Sequence, residues 1–384
     1  MNLLILNYEY PPLGGGAGLC ARYQAEGLAA RGHSVTVITT WFEGEQEVEK
    51  TSGVRLIRLR SRRKHIFRSN PLEMLSWAMK TLAVIRRAKL YSEADLILAH
   101  FAIPGGLVSL PVKLFYKVPY YVISHGQDIP WFHPKEMFLF HLLSYVPIRM
   151  ICSGASKVTV LSPGRLKDLN RMTGKKGEHK HHIIPNGCDV DFFTPPDEAG
   201  NAEPYRILFT GRLRSQKDPF TMLRAIRLFR EKKIPFVVEI AGDGPLREKM
   251  ESYVRDHQLG KMVQFGGWMS REQLREKYRD AHLLLITSRD EGMSLAMMEA
   301  LASGLYVLTT PVSGSEGLIR EGLNGNYVPF HDPAQIAESL EKIYRNKVMK
   351  RYRVPDQLLQ EIRDSISWDH YVSAYEQLIK AQGT

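Results

Sequence analysis

Ser288-Arg289-Asp290-Glu291-Gly292-Met293-Ser294-Leu295-Ala296-Met297-Met298-Glu299-Ala300-Leu301-Ala302-Ser303-Gly304 is the stretch on which the reading of this chain turns. A helix is expected to open near Met293 and Ser294, with Glu291 just before it and Glu299 inside it. Eight helical steps rise about 12 Å and return near the starting face, so both carboxylates can look into one cleft. A carboxylate accepts hydrogen bonds from paired hydroxyls, and a helix start offers N–H groups and positive dipole to an anion. That span matches a ribose, a pyrophosphate and a hexose in line. Read alone, the stretch is equally an amphipathic helix burying Leu295, Met298 and Leu301, because Met and Leu at helical spacing ordinarily mark core. The surrounding chain has to separate the two readings.

Upstream, short apolar runs alternate with helical segments, the pattern of a parallel sheet covered on both faces. Leu3–Leu6, Val35–Thr39, Val54–Leu59, Leu96–Ala99, Tyr120–Ser124 and Val158–Leu161 read as strands of a first half. A Pro-, Gly- and acid-rich passage from Ile183 to Gly200 reads as a linker. A second set follows at Ile207–Thr210, Phe236–Ala241, Met262–Phe265, Leu283–Thr287 and Tyr306–Thr310. Such sheets bind ligands beyond the carboxyl ends of their strands, so the loops there are the candidate sites.

The loop after the first strand, Tyr8 to Gly18, carries Gly14, Gly15 and Gly16 before a helix, a place where backbone can come close to an anion. Its spacing fits neither Gly-x-Gly-x-x-Gly nor a P-loop. His125, Gly126 and Asp128 follow the Tyr120–Ser124 strand. In the second half Arg212 and Lys217 follow a strand, where a guanidinium and an ammonium can neutralise a pyrophosphate, and Asp218 and Pro219 suit the start of a helix. Gly242-Asp243-Gly244-Pro245 forms another tight turn. His179, His181 and His182 cluster without a carboxylate pair or cysteine at ligand spacing, and no metal site is expected there.

The chain has 384 residues, more than one hydrophobic core usually holds, and two domains are expected. Hydrophobic residues at 44% and charged residues at 24% are globular values. Cys20, Cys152 and Cys188 form no Cys-x-x-Cys pair, which suits a reducing compartment. No leader peptide is read in the first residues and no apolar run approaches the ~18 needed for a span, so a cytoplasmic protein is expected. The net charge of +11 gathers partly in Arg55, Arg58, Arg60, Arg62, Arg63, Lys64 and Arg68, a patch able to meet anionic lipid, a phosphorylated substrate or nucleic acid. Apolar helical segments at Asn70–Tyr91 and Met137–Met150 would join it in a surface on the cytoplasmic face of a membrane, or are core helices of a two-domain protein.

Taken in order, the glycine loop, His125-Gly126, Asn186-Gly187-Cys188-Asp189, Gly211-Arg212 with Lys217, Gly242-Asp243-Gly244-Pro245, Glu291 with Glu299, and Asn324-Gly325 resemble glycosyltransferase family 4, the retaining group 1 enzymes of GT-B fold. The resemblance covers nearly the whole chain. It implies an α/β architecture of two doubly wound Rossmann-like domains facing each other across a cleft: an acceptor-binding domain over 1–196, joined by a returning helix at about 368–384, and a nucleotide-sugar domain over 197–367. It implies that Arg212 and Lys217 bind the donor diphosphate, that Glu299 holds the ribose, and that Glu291 holds the transferred sugar. Gly14, Gly15 and Gly16 would meet the diphosphate, Gly292, Met293, Ser294 and Leu295 would line the donor pocket, His125 would contact the sugar, and Asp128 would lie on the acceptor side. No metal or other cofactor is expected. The pattern departs from the family at Asp218, where glycine is frequent, and at Met293 and Ser294.

The implied function is retaining transfer of a hexose from a nucleotide diphosphate sugar to a hydroxyl of a glycan or lipid-linked glycan, in polysaccharide or glycolipid biosynthesis. A GT-B epimerase or phosphorylase is the alternative enzyme. A nucleic-acid-binding module is the alternative from charge alone, but the basic residues lack the aromatic interleaving of such a motif, and no nucleic-acid partner is expected.

Overall fold

The computed structural model describes residues 1–66, 69–131, 138–196, 203–348 and 352–381. Arg68 and Met137 lie outside the described residues, as do 197–202 and 382–384 at the expected domain limits. The chain divides into two units, Met1–Asn186 with Trp368–Thr384, and Gly187–Ser367.

In the first unit the strands are β1 (Asn2–Leu6), β2 (Ser34–Thr40), β3 (Val48–Thr51), β4 (Val54–Leu59), β5 (Leu96–His100), β6 (Tyr120–Ile123), β7 (Lys157–Val160) and β8 (His181–Ile183). They lie in the order β3-β4-β2-β1-β5-β6-β7-β8, parallel except for the β3–β4 pair. Because strand side chains alternate between faces, an unbroken apolar strand feeds two cores at once. Leu4 and Leu6 of β1 enter one core with residues of the helices α2 (Pro71–Arg87), α4 (Leu107–Tyr116), α5 (Phe138–Gly154) and α6 (Pro163–Thr173). Leu3 and Ile5 enter the other with α1 (Gly16–Ala30), while α3 (Leu90–Glu93) is a single turn leading to β5. β3 and β8 are absent from the sequence expectations, being short and, in His181-His182-Ile183, polar. His181 of this strand is held by Asn170 of α6 at 2.6 Å.

The second unit has β9 (Tyr205–Thr210), β10 (Phe236–Ala241), β11 (Val263–Gly267), β12 (Leu283–Ile286), β13 (Tyr306–Thr309) and β14 (Gly325–Tyr327), ordered β11-β10-β9-β12-β13-β14. All its neighbouring strands are parallel. One face packs on α7 (Pro219–Phe229), α8 (Arg247–Asp256) and α11 (Pro333–Ile343), the other on α9 (Arg271–Asp280), α10 (Leu295–Ala302) and α12 (Asp356–Ile366). The order reverses at β9, which has β10 on one side and β12 on the other. The loops leaving β9 and β12 therefore stand side by side at the carboxyl ends of their strands, at the reversal where open α/β sheets bind ligands.

The last helix, α13 (Trp368–Lys380), belongs to the first unit, where Tyr371, Val372 and Tyr375 join the core beside α1 and the Tyr375 and Thr159 hydroxyls lie 2.8 Å apart. The division between the units falls after Asn186, ten residues before the expected 196/197 limit. The cause is packing: Cys188 N–H bonds to Ile366 O at 2.6 Å, Phe193 is buried in a core of the second unit, and Arg363 donates to Phe193 O at 3.0 Å. Much of the passage read as a linker is thus anchored structure.

Candidate active site

In the second unit the β9 and β12 loops are tied together at the point of strand reversal. Arg289 N–H bonds to Gln216 O at 2.8 Å, Gln216 Nε2 donates to Asp290 O at 3.0 Å, and Thr287 Oγ1 donates to Lys217 O and Asp218 O at 2.9 and 3.0 Å. This lattice sets Lys217 against Glu291: Nζ to Oε1 is 2.6 Å, and Ser288 Oγ donates to the same oxygen at 2.7 Å. Glu291 is only 6% exposed, and these two donors satisfy its buried side chain. Arg212 stands half-buried at the start of the same loop.

Glu299 occupies the fifth position of α10, whose N-cap Ser294 accepts from Met297 N–H. The helix begins at Leu295, so residues 291–294 are loop and the eight-step helical rise expected from Glu291 to Glu299 does not apply; only the last four steps are helical. Tyr278 donates its hydroxyl to Glu299 Oε2 at 2.9 Å. Burial pushes the Glu299 carboxyl up to about 7, against the pull of the Tyr278 bond and of nearby Arg271. The residue keeps some surface, but its carboxyl is enclosed enough to hold a proton near neutrality.

Asp218 takes the N-cap position of α7 in the left-handed conformation (φ 44°, ψ 53°) and does not cap the helix with its side chain. That backbone explains why glycine suits this position. The carboxylate instead binds Thr221 Oγ1 at 2.9 Å, His331 Nδ1 at 2.6 Å and Arg289 at 3.3 Å. Burial pushes its carboxyl up, but the Arg289, Thr221 and His331 contacts outweigh it and hold it below the usual carboxylate range. Behind Arg212, Gly242 is demanded by contact: a Cβ there would lie 2.0 Å from Gly211 O. The Gly-Asp-Gly-Pro turn is thus the support on which the Arg212 loop rests.

The first unit has its own strand reversal at β1, between β2 and β5, and the glycine loop and His125 lie near it. Gly14 (φ 90°) packs on Glu9, where a Cβ would meet Oε2 at 2.6 Å, whereas a Cβ on Gly15 would meet nothing within 4 Å. Of the three glycines, Gly14 is held by packing, Gly15 offers open backbone, and Gly16 starts α1, which has no side-chain cap. Glu9 is raised by burial, with Arg63 lowering it from 3.8 Å away. Arg63 is 1% exposed and Arg58 is buried against Glu45 and Glu49. These two therefore leave the expected basic patch, of which Arg55, Arg60, Arg62 and Lys64 remain exposed.

His125 stacks on His100 with Nε2 to Nδ1 at 2.9 Å, and His100 Nε2 meets Gln24 Oε1 at 3.0 Å. Burial lowers His125 to about 3, and burial with the neighbouring His125 lowers His100 well below its ordinary value, so both rings are neutral near pH 7. Asp128, expected on the acceptor side, is 4% exposed and accepts from Ala102 N–H, Ser124 Oγ and His125 N–H at 2.8, 2.7 and 3.2 Å. Its carboxylate holds the His125 loop in place. Ser288, Tyr278 and His100 are the partners that sequence reasoning missed: Ser288 follows the apolar β12, His100 ends the apolar β5, and Tyr278 lies in the charged helix α9, none with a motif of its own.

A cavity of about 740 Å³ opens at the other end of the second sheet, beside Arg206, His282 and Tyr306 at the amino ends of β9, β12 and β13. It lies away from the Lys217–Glu291 pair and does not belong to that site.

Comparison with known proteins decides what the arrangement belongs to. Residues 14–192 match the model described as Glycosyltransferase Family 4, and residues 193–357 match Glycosyl transferases group 1. The chain is a group 1 glycosyltransferase of family 4. This glycosyltransferase is 26% identical to an uncharacterized glycosyltransferase of Methanocaldococcus jannaschii, over 96% of this chain and 95% of that one. It is 24% identical to the D-inositol 3-phosphate glycosyltransferase of Paenarthrobacter aurescens, over 88% and 86%. Among solved structures it resembles sucrose-phosphate synthase from Thermosynechococcus elongatus (TM-score 0.85, 20% identity, 100% of this chain and 99% of that one). It also resembles Anabaena HepE in complex with UDP-glucose (TM-score 0.76, 17% identity, 99% and 100%). These likenesses establish the GT-B fold, two Rossmann-like α/β units, for the glycosyltransferase.

Proposed function

We propose that this glycosyltransferase moves a hexose, with retention at the anomeric carbon, from a nucleotide diphosphate sugar to a hydroxyl of a glycan or lipid-linked glycan. The observation that carries the reading is the buried Lys217–Glu291 pair beside Arg212 at the strand reversal of the second unit, with Glu299 on the helix that follows. Glu299 accepts from the ribose hydroxyls, and Glu291 from hydroxyls of the transferred sugar. Gly292, Met293, Ser294 and Leu295 line the donor between them, and the start of α10 turns its N–H groups to the diphosphate. As the nucleoside diphosphate leaves, negative charge grows beside Arg212 and Lys217, while the sugar gains oxocarbenium character. Fixed charges already oriented for that moment lower the barrier without reorganisation, and no metal is assigned a part.

The first unit is assigned the acceptor. There neutral His125, with one ring nitrogen on His100, presents the other to a hydroxyl of the acceptor sugar. The acceptor hydroxyl attacks from the face the leaving group departs: the bond between the anomeric carbon and the diphosphate oxygen breaks as the new glycosidic bond forms, and the hydroxyl proton passes to that departing oxygen. A UDP-, GDP- and ADP-sugar panel in a thermal-shift screen finds the donor, since a bound ligand raises the melting temperature by mass action. A labelled donor then tests transfer: label on a separate acceptor supports the reading, whereas label recovered only as epimerised donor or sugar phosphate overturns it.

A further inference from the structure

The α5 helix of the first unit is apolar on the side it turns to solvent. Phe138, Leu139, Leu142, Leu143, Val146 and Met150 are between 59% and 73% exposed, whereas the polar His141 and Ser144 are among the residues it buries. A helix packed on a sheet ordinarily turns a polar stripe to solvent. Here the helix is apolar on both sides, with Ile148, Ile151 and Cys152 filling the core, and its inward polar groups are satisfied: His141 Nε2 meets Gln127 O at 3.0 Å and Ser144 Oγ donates to Phe140 O at 2.6 Å. Beside α5 in the same layer, α4 exposes Leu114 and Phe115, and α2 exposes Leu72 and Met79. An exposed apolar surface of this extent marks a contact surface.

Its charge says what it contacts. The cations of the three helices are Lys80, Arg86 and Arg87 on α2, Lys113 on α4 and Arg149 on α5, and their one carboxylate, Glu73, is buried in a capping box with Asn70. Lys80 donates to Arg60 O, which brings the exposed Arg60, Arg62 and Lys64 to the edge of α2. Among the described residues no helix is long and apolar enough to cross a membrane, so contact is with a surface.

We propose that the α2–α4–α5 face docks on an anionic lipid bilayer. The α5 stripe enters the boundary between headgroups and acyl chains, and the flanking lysines and arginines extend to the lipid phosphates. A second copy of this chain is the poorer occupant, because a two-fold contact sets the same cations against one another. The proposal stands on this face alone and does not depend on the reaction assigned to the second unit.

Co-sedimentation of the full chain with phosphatidylcholine vesicles, with and without phosphatidylglycerol, tests it. Binding is expected only to the anionic vesicles and falls as salt rises. Leu139→Glu with Leu143→Glu, at exposed positions where folding is unaffected, weakens partitioning on the order of tenfold or more. Arg86→Glu with Arg87→Glu weakens it to a similar order and flattens the salt dependence. Circular dichroism and nucleotide binding of both variants report that the fold and the donor site are intact. The proposal is overturned if the wild type ignores anionic vesicles at low salt, or if either folded double variant binds them as the wild type does. It is equally overturned if sedimentation velocity shows a dimer that the leucine variants abolish while vesicles bind nothing.

Discussion

Replacing Lys217 by Ala probes the proposed donor site, because this cation is proposed to serve both the fold and the stabilisation of the leaving group. Lys217 Nζ lies 2.6 Å from Glu291 Oε1, with side chains 17% and 8% exposed. Deleting one partner of a fully buried pair costs about 3–5 kcal/mol, because the other charge is left uncompensated. Here Ser288 still donates to Glu291 and the lysine retains some solvent, so about 2 kcal/mol is expected, a fall in melting temperature of roughly 4–8 °C. Glu291→Gln in the same chain removes the stranded charge, and the double variant should recover most of the lost stability. Catalysis should not follow. Loss of a preorganised charge at the departing diphosphate lowers kcat by about 10²–10³, and the double variant should remain as slow or slower. Differential scanning fluorimetry and initial rates on all four members of the cycle separate the two effects. If Lys217→Ala keeps wild-type kcat, or if the double variant is no more stable than the single, the pairing argued for this site is wrong.

Glu299 should make donor binding depend on pH: its carboxyl is raised to about 7, so protonation below that value removes an acceptor from the ribose, and titration calorimetry should show affinity falling from pH 8 to pH 6 in the wild type but not in Glu299→Gln. The same shift means the folded chain retains a proton the unfolded chain has lost between its ordinary carboxylate range and about 7, so this group's contribution to stability declines as pH rises through that window. His125 and His100 stay neutral far below the ordinary histidine value, so kcat should show no limb assignable to His125 between pH 6 and 8; a limb there that His125→Ala abolishes contradicts its neutral role. Gly242→Ala sets a methyl against Gly211 O and should destabilise the second unit by about 3 kcal/mol or more, read as a lowered denaturant midpoint. A chelator should leave transfer unchanged, and activity lost to it and restored by a divalent cation would refute the metal-free account.

Much of the architecture is legible in the chain because parallel strands buried on both faces print as unbroken apolar runs; β1, β5 and β12 read directly. β3 and β8 do not, since a short edge strand carries charged and polar residues that look like loop. The candidate site is legible where residue chemistry and strand-end position coincide, as in Lys217 and Glu291, whereas the helical spacing expected for Glu299 fails because the helix begins only at Leu295. Legibility fades where a role depends on a tertiary partner. Nothing in the sequence announces that Tyr278 enters the Glu299 pocket, that Ser288 completes Glu291, or that His100 backs His125. Arg58 and Arg63 show the converse: within a basic run they read as surface, yet Glu45, Glu49 and Glu9 draw them inside. Asp218 departs from the family pattern because three side-chain partners hold it in a left-handed backbone that glycine would adopt without strain.

The central claim is that the β9 and β12 loops of the second unit bind the nucleoside diphosphate of a sugar donor. Isothermal titration of UDP, GDP and ADP into the wild type and into Glu299→Ala and Arg212→Ala tests it most directly. The account predicts that one nucleotide binds the wild type and that each substitution weakens it on the order of tenfold or more, in keeping with the loss of a charge-assisted hydrogen bond. A wild type that binds none of the three, or variants that bind as tightly as the wild type, would contradict it.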